Sequence, residues 1–157
     1  MEKPYPIERE ILRPFALPDE QSRMVDLEDF RQSRNLVLVF VKEVVPAAER
    51  LLGELATAAE AVAAEEGVVL AVLSGKKQEA ASLRERLGLP FKVLADEGGK
   101  VVDSFCGAGL AIYVTDRFRE VFAVGRDDRM LSGDEVRKWL AHINRQCPEC
   151  GVAEWPA

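Results

Sequence analysis

A chain of 157 residues, of which 48 % are hydrophobic, has the length of one domain and enough apolar side chains to fill its core. The formal net charge of −6 and the pI of about 5.0 disfavour a general attraction to nucleic acid or to anionic membranes. The longest apolar runs, such as Leu36–Val41, are far shorter than the ~20 residues of a membrane span, and the proline-rich beginning is unlike a signal peptide. These features predict a cytoplasmic protein.

The first half of the chain predicts a lead-in, a central strand and a long helix. Four prolines among polar residues favour an extended lead-in over 1–22, and a short helix is expected over 27–32. The continuous β-branched run Leu36–Val41 is typical of a strand buried on both faces. Apolar residues at helical spacing then predict one long helix over 47–66, preceded by Pro46 and ended by Gly67.

Alternating strands and helices continue in the middle of the chain. A buried strand is predicted over 68–73, and a helix over 76–87 that ends at Gly88. A short strand over 91–94 leads to Asp96, which we expect to cap a helix running through Phe105. Strands that alternate with helices predict a parallel sheet.

The last part of the chain predicts a hairpin and a closing helix. Strands over 110–115 and 120–124 are joined by four residues, the length of a hairpin connection, so this part of the sheet is antiparallel. Ser132 and Glu135 form the capping-box pattern of a final helix. The fold class is therefore α/β with a central mixed sheet.

Several segments, in this order, resemble the redoxins of the alkyl hydroperoxide reductase and thiol-specific antioxidant family over roughly residues 14 to 146. They are Phe15–Asp19, Leu36–Phe40, Leu87–Phe91, Leu94–Asp96 and Ile112–Asp116. The resemblance implies a thioredoxin-like three-layer fold with the N-terminal extension of redoxins. It also implies a reactive cysteine between the first long strand and the first long helix, where the helix dipole favours a thiolate.

That turn lacks cysteine. Against the Cys-Pro-x-Cys pattern of the family, the chain has Val45 and Ala48 at the two thiol positions, and Glu49 stands where a basic residue is common. Leu110 occupies the facing position, where relatives have a cis-proline or an arginine. We interpret Val45, Ala48 and Leu110 as ordinary core that packs together in a dismantled site.

The sharpest local motif is Cys147-Pro148-Glu149-Cys150, just after the last helix. Two thiols at this spacing can form a small disulfide ring or bind one metal ion. A structural zinc site needs four ligands, so a zinc ion would require another pair, for example from a second subunit. The helical spacing places His142 on the face opposite Val136, Trp139 and Ile143, as a solvent-facing residue rather than a ligand.

A redox function of the same pair requires an accessible thiolate. Pro148 favours an exposed turn, whereas the charge of Glu149 opposes thiolate formation. Cys106 is a candidate resolving thiol if the tail folds back, but a lone cysteine at a helix end is more often a small buried hydrophobic residue. Trp155 is a candidate anchor for the tail, in a groove or in a partner subunit.

Two hypotheses follow for a redoxin domain of residues 1–146 with a tail of residues 147–157. In the first, the protein is a thiol-dependent oxidoreductase without a cofactor, acting through Cys147 and Cys150 on a hydroperoxide or with a thiol reductant. In the second, it is a non-catalytic homodimer or partner-binding module whose tail cysteines bind zinc shared between subunits or form a structural disulfide.

Overall fold

The computed structural model describes residues 6–107, 109–127 and 129–146. Its strands are β1 (Ala16–Pro18), β2 (Met24–Asp26), β3 (Asn35–Val41), β4 (Gly67–Ser74), β5 (Lys92–Asp96), β6 (Leu110–Thr115) and β7 (Val121–Arg126). Its α-helices are α1 (Pro46–Thr57), α2 (Ala59–Ala64), α3 (Lys77–Leu87), α4 (Lys100–Phe105) and α5 (Gly133–Arg145), and a 3-10 helix covers Leu27–Phe30.

Five strands form the central sheet in the order β5-β4-β3-β6-β7. β4 runs parallel to both β3 and β5, whereas β6 is antiparallel to β3 and β7 is antiparallel to β6. Every residue of β3 is buried, as the continuous apolar run predicts. The mixed sheet with β3 at its centre confirms the predicted fold class.

Helices cover both faces of the sheet, which gives three layers. On one face α1, α2, α3 and α5 pack on side chains such as Val37, Val39 and Val41. On the other face α4, the 3-10 helix and part of the lead-in pack on Leu36, Leu38 and Phe40. The alternation of these side chains along β3 follows from the period of two in a strand.

The helix predicted over 47–66 is wrong as a single element, because it is broken at Ala58 into α1 and α2. Thr57 donates a hydrogen bond from its hydroxyl to the carbonyl of Gly53, a contact that bends helices. The start of α5 also abuts this point, where the amide of Gly133 donates to the carboxylate of Glu54 at 3.1 Å. A local contact and a tertiary contact therefore meet at the break.

Asp96 is the last residue of β5, and not the N-cap predicted from the sequence, since Gly99 precedes α4. Its buried carboxylate nevertheless accepts a hydrogen bond from the amide of Val102 at 2.7 Å, so it still satisfies a free amide of the helix. Burial raises the pKa of this carboxyl group, and the hydrogen bond opposes that rise.

The lead-in is more ordered than the prolines suggest. β1 and β2 form an antiparallel pair, and Ile11 forms a bridge with Glu120 beside the start of β7. The amide of Arg9 donates to the carbonyl of Val121 at 2.7 Å. Residues 9–12 thus cover part of the outer edge of the sheet, which would otherwise expose unpaired backbone groups.

Helix α5 begins as predicted, with the capping box of Ser132 and Glu135. Its last turn is fixed to the amino end of β3 by a cluster of Asn35, Glu65 and Asn144, which we call the Asn35 cluster. The Asn35 side-chain amide donates to Asn144 Oδ1 at 2.9 Å, and that of Asn144 donates to the Glu65 carbonyl at 2.7 Å. The chain therefore leaves α5 at the amino end of β3.

Across residues 6–107, 109–127 and 129–146, no helix is long and apolar enough to cross a membrane.

Two glycine substitutions should change stability in opposite directions. Gly53 lies inside α1, and an added Cβ would meet nothing within 4 Å, so Gly53→Ala should raise the free energy of unfolding by about 0.5–1 kcal/mol. Gly88 ends α3 at a φ of 63°, so Gly88→Ala should lower the free energy of unfolding by about 1–2 kcal/mol. Urea unfolding of both variants measures the difference, and a loss of stability in Gly53→Ala would contradict the assignment of α1.

Candidate functional site

The turn between β3 and α1 is the place where the sequence resemblance locates the reactive centre. Strand β3 ends at Val41, and α1 begins at Pro46, whose fixed φ and missing amide hydrogen suit the first helical position. Val45 is the N-cap residue and supplies no side-chain hydrogen bond to the helix. The free amides at the start of α1 therefore receive no side-chain acceptor from the N-cap residue.

Val45 is exposed at 38 % and its neighbour Val44 at 39 %. The expectation that Val45, Ala48 and Leu110 pack together as core is therefore wrong for Val45. Ala48 and Leu110 are both buried and belong to the same core cluster. Val45 differs because it precedes the helix, on a loop that leaves the sheet, whereas Ala48 is in the first turn on the buried side of α1.

Leu110 faces the end of β3, as the resemblance implies. Leu110 in β6 pairs with Val41 in β3, and the amide of Lys42 donates to the carbonyl of Gly109 at 2.9 Å. No cis peptide bond occurs among the described residues. The backbone of a redoxin site is thus present at this turn, while Val45, Ala48 and Leu110 supply only hydrocarbon.

Glu49 lies on the first turn of α1 and has a cationic partner. Its Oε2 atom is 2.8 Å from the guanidinium of Arg86 on α3, with both side chains partly exposed. An exposed pair of this kind is screened by solvent, so it offsets the negative charge near the turn only in part.

Cys106 lies on the face of the sheet opposite to α1, in the core cluster that contains Phe40, Phe105 and Tyr113. It is only 1 % exposed. Burial raises the pKa of its thiol to about 11, and the charge of Asp127 adds to this rise. Cys106 is therefore a buried, protonated thiol in this structure, which is unfavourable for the resolving role considered from the sequence.

Cys147, Cys150 and Trp155 lie outside the described residues. The chain reaches them from Gln146, next to the Asn35 cluster at the amino end of β3. The turn before α1 is at the carboxyl end of the same strand. Seven residues of β3 separate the two ends by ~20 Å at about 3.3 Å per residue.

His142 is not on a solvent-facing side of α5 opposite Trp139, contrary to the expectation. Its ring lies edge-on to the ring of Trp139, with 5.6 Å between centroids, and 6.5 Å from the ring of Phe122. Its Nε2 atom is 3.1 Å from Nε2 of Gln146. Spacing of three residues puts Trp139 and His142 on the same side of a helix, and packing on β7 half-buries both.

A groove beside the end of α5 was not anticipated from the sequence. It has a volume of about 280 Å³ and is lined by Arg9, Arg117, Phe118, Phe122, Ile143 and Gln146, among others. We call it the tail-exit groove, because Gln146 is the last described residue before the tail. The sequence feature that could have indicated this groove is the pair Arg117 and Phe118 in the hairpin connection. From the sequence, this connection was interpreted only as a turn.

The part of the chain that the structure describes contains no group of three or more His, Cys, Asp or Glu residues able to hold a metal ion.

The sheet order, the covering helices and the turn before α1 together define a redoxin of the thioredoxin fold. The family comparison agrees: the model of the AhpC/TSA family matches residues 9–129, and the chain belongs to that family. A comparison with curated proteins finds no match.

Solved structures with the same fold include peroxidases and thiol-disulfide oxidoreductases. Peroxidoxin BcpB from Mycobacterium tuberculosis is 18 % identical, with a TM-score of 0.72 over 88 % of this chain and 96 % of that one. A thiol peroxidase from Chromobacterium violaceum is 19 % identical, with a TM-score of 0.70 over 89 % of each chain. The thioredoxin domain of a thiol-disulfide oxidoreductase from Bacteroides vulgatus is 13 % identical, with a TM-score of 0.71 over 87 % of this chain and 96 % of that one.

Cys106 should react with thiol reagents only after unfolding. In a Cys147→Ser/Cys150→Ser variant at pH 8, a thiol with a pKa of about 11 is ionised in only about one molecule in a thousand, and its burial blocks access. Ellman's reagent should therefore titrate no thiol quickly in the native protein and one thiol in guanidinium chloride. Fast reaction of the native variant would contradict the burial of Cys106.

A cysteine restored at the family position should respond to the charge of Glu49. In the same serine background, Val45→Cys should give an alkylatable thiol, and adding Glu49→Gln should lower its pKa, since a neighbouring negative charge is removed. An exposed charge interaction contributes about 0.2–1 kcal/mol, so the rate of alkylation by iodoacetamide at pH 7 should rise by up to about fivefold. Glu60→Gln, on α2, is the matched control, and an equal response to both changes would contradict the local effect.

Proposed function

We propose that this AhpC/TSA-family protein is a thiol-dependent oxidoreductase whose chemistry is carried by Cys147 and Cys150, in a tail that follows a redoxin domain of residues 1–146. One observation carries the proposal: the chain has three cysteines, and the only one in the described part is buried with a raised thiol pKa. Redoxin chemistry requires a thiolate, so the tail pair is the remaining source.

The proposed reaction balances with the two tail thiols alone. One thiolate attacks a sulfur of a substrate disulfide, the S–S bond breaks, and a substrate thiolate leaves. The second tail thiolate attacks the mixed disulfide, closes the bond between Cys147 and Cys150, and releases the second substrate thiol. The substrate gains two electrons, the pair loses two, and an external thiol reductant returns the pair to the dithiol.

A hydroperoxide is the other substrate class. There a tail thiolate attacks the terminal oxygen, the O–O bond breaks, and an alcohol leaves with a sulfenic acid on the cysteine. The second thiol displaces water from the sulfenic acid and forms the same disulfide. The names of the structural neighbours, a thiol peroxidase and a thiol-disulfide oxidoreductase, are the basis for considering both classes. A thiol reductant in the cytoplasm would complete either cycle.

The second candidate is a non-catalytic homodimer or partner-binding module, in which the tail cysteines bind a zinc ion shared between subunits or form a structural disulfide. The exposure of Val44 and Val45 favours it, because two apolar side chains at the empty turn offer a contact surface instead of a reactive group. A zinc ion held by one tail pair would take its other two ligands from a second copy.

Turnover measurements on three single variants distinguish these candidates. Reduction of a model disulfide and consumption of hydrogen peroxide should both be followed with a dithiol reductant. Cys147→Ser and Cys150→Ser should each abolish the activity that the wild type shows, because the attacking or the resolving thiol is lost. Cys106→Ala should keep it, since that thiol is buried.

The metal content and the free-thiol count of protein purified without added zinc complete the test. In guanidinium chloride, three titratable thiols are expected after reduction and fewer after oxidation, and the native protein should hold no stoichiometric metal. Near-stoichiometric zinc together with no turnover would overturn the oxidoreductase function and favour the second candidate.

A further inference from the structure

The tail-exit groove has the shape and the exposed groups of a binding surface. Phe118 is the most exposed aromatic side chain of the described residues, at 36 %, and stands on the rim of the groove. Phe122 and the buried Ile143 also line the groove, together with polar residues such as Asn35 and Asn144. An exposed ring beside other apolar side chains loses contact with water only when something covers it.

Arg117 supplies an uncommitted positive charge at the same place. It is half-buried, and its guanidinium makes no hydrogen bond or ion pair with any other described residue. Arg9, by contrast, pairs with Glu120 at 2.8 Å and lies over the ring of Phe122, 5.2 Å from its centroid. The Oδ1 atom of Asp116 already accepts from two backbone amides.

The tail has the complementary chemistry. Residues 147–157 contain Glu149 and Glu154, no lysine or arginine, and the apolar residues Val152 and Trp155. Because Gln146 itself lines the groove, the tail starts at its wall. Nine residues from Gln146 to Trp155 span up to about 32 Å, which is more than enough to turn back into a groove at the starting point.

We propose that the tail docks in the tail-exit groove of its own chain, with Trp155 against Phe118 and Phe122, and Glu154 beside Arg117. A tethered segment has an effective concentration in the millimolar range, so it outcompetes a second copy at micromolar concentration. The docked tail would hold Cys147 and Cys150 at the amino end of β3. The proposal stands independently of whether these thiols turn over.

Tryptophan fluorescence of the full chain tests the docking. The chain has two tryptophans, so Trp139→Phe leaves Trp155 as the only reporter. In this background, the emission of Trp155 should lie at shorter wavelength than that of N-acetyltryptophanamide and should be protected from acrylamide. Phe118→Ala and Arg117→Gln should each shift the emission to longer wavelength and increase quenching.

Two substitutions elsewhere provide matched controls. Met24→Ala removes an exposed apolar side chain from a different groove, near α2, and Arg50→Gln removes an exposed arginine from α1. Neither should change the emission of Trp155. Far-UV circular dichroism and thermal unfolding establish that all variants remain folded, and Arg117→Gln tests the same contact should Phe118→Ala unfold.

Three outcomes would overturn the proposal: solvent-like emission of Trp155 in the Trp139→Phe protein, an equal response to groove and control substitutions, or protection that disappears on dilution. The last would show that a second copy occupies the groove. These results differ from a failure of the proposed function, which is decided by the turnover of Cys147→Ser and Cys150→Ser.

Discussion

The complete burial of β3 is the constraint on which the rest of the structure depends. All seven of its residues are inaccessible, so apolar side chains point into both faces of the sheet, and both faces need a cover. Helices α1, α2, α3 and α5 cover one face, while α4, the 3-10 helix and the lead-in cover the other. The loop at the carboxyl end of this central strand leads directly into the amino end of α1. The backbone of the redoxin turn therefore forms whatever side chains that turn carries.

Periodicity and end signals predicted most of the fold because they depend on local chemistry. The β-branched runs of β3 and β4, the glycine after α3 and the capping box of α5 all correspond to the observed elements. The break at Ala58 was not predicted in this way, since the contact of α5 with the end of α1 leaves no periodic signal in the sequence. The same limit applies to His142, whose position depends on contact with β7.

The candidate site was likewise predicted only where local chemistry decides the outcome. The sequence alone located the turn and the absence of thiols at Val45 and Ala48, because these are questions of residue identity. It did not predict the exposure of Val45, which depends on the direction in which the loop leaves the sheet. Nor did it indicate the tail-exit groove, whose walls come from the lead-in, the hairpin and the end of α5. Surfaces assembled from distant segments leave little periodic signal in a sequence.

The Asn35 cluster has a consequence for how the molecule can be used. By fixing the last turn of α5 to the amino end of β3, it separates the origin of the tail from the redoxin turn by the length of that strand. Two ligands, one at each end, would not compete for space, and each would bind with an affinity set by its own contacts. Substitutions at the valine-lined turn and substitutions at the start of the tail are therefore expected to act independently, because the length of β3 separates the two places.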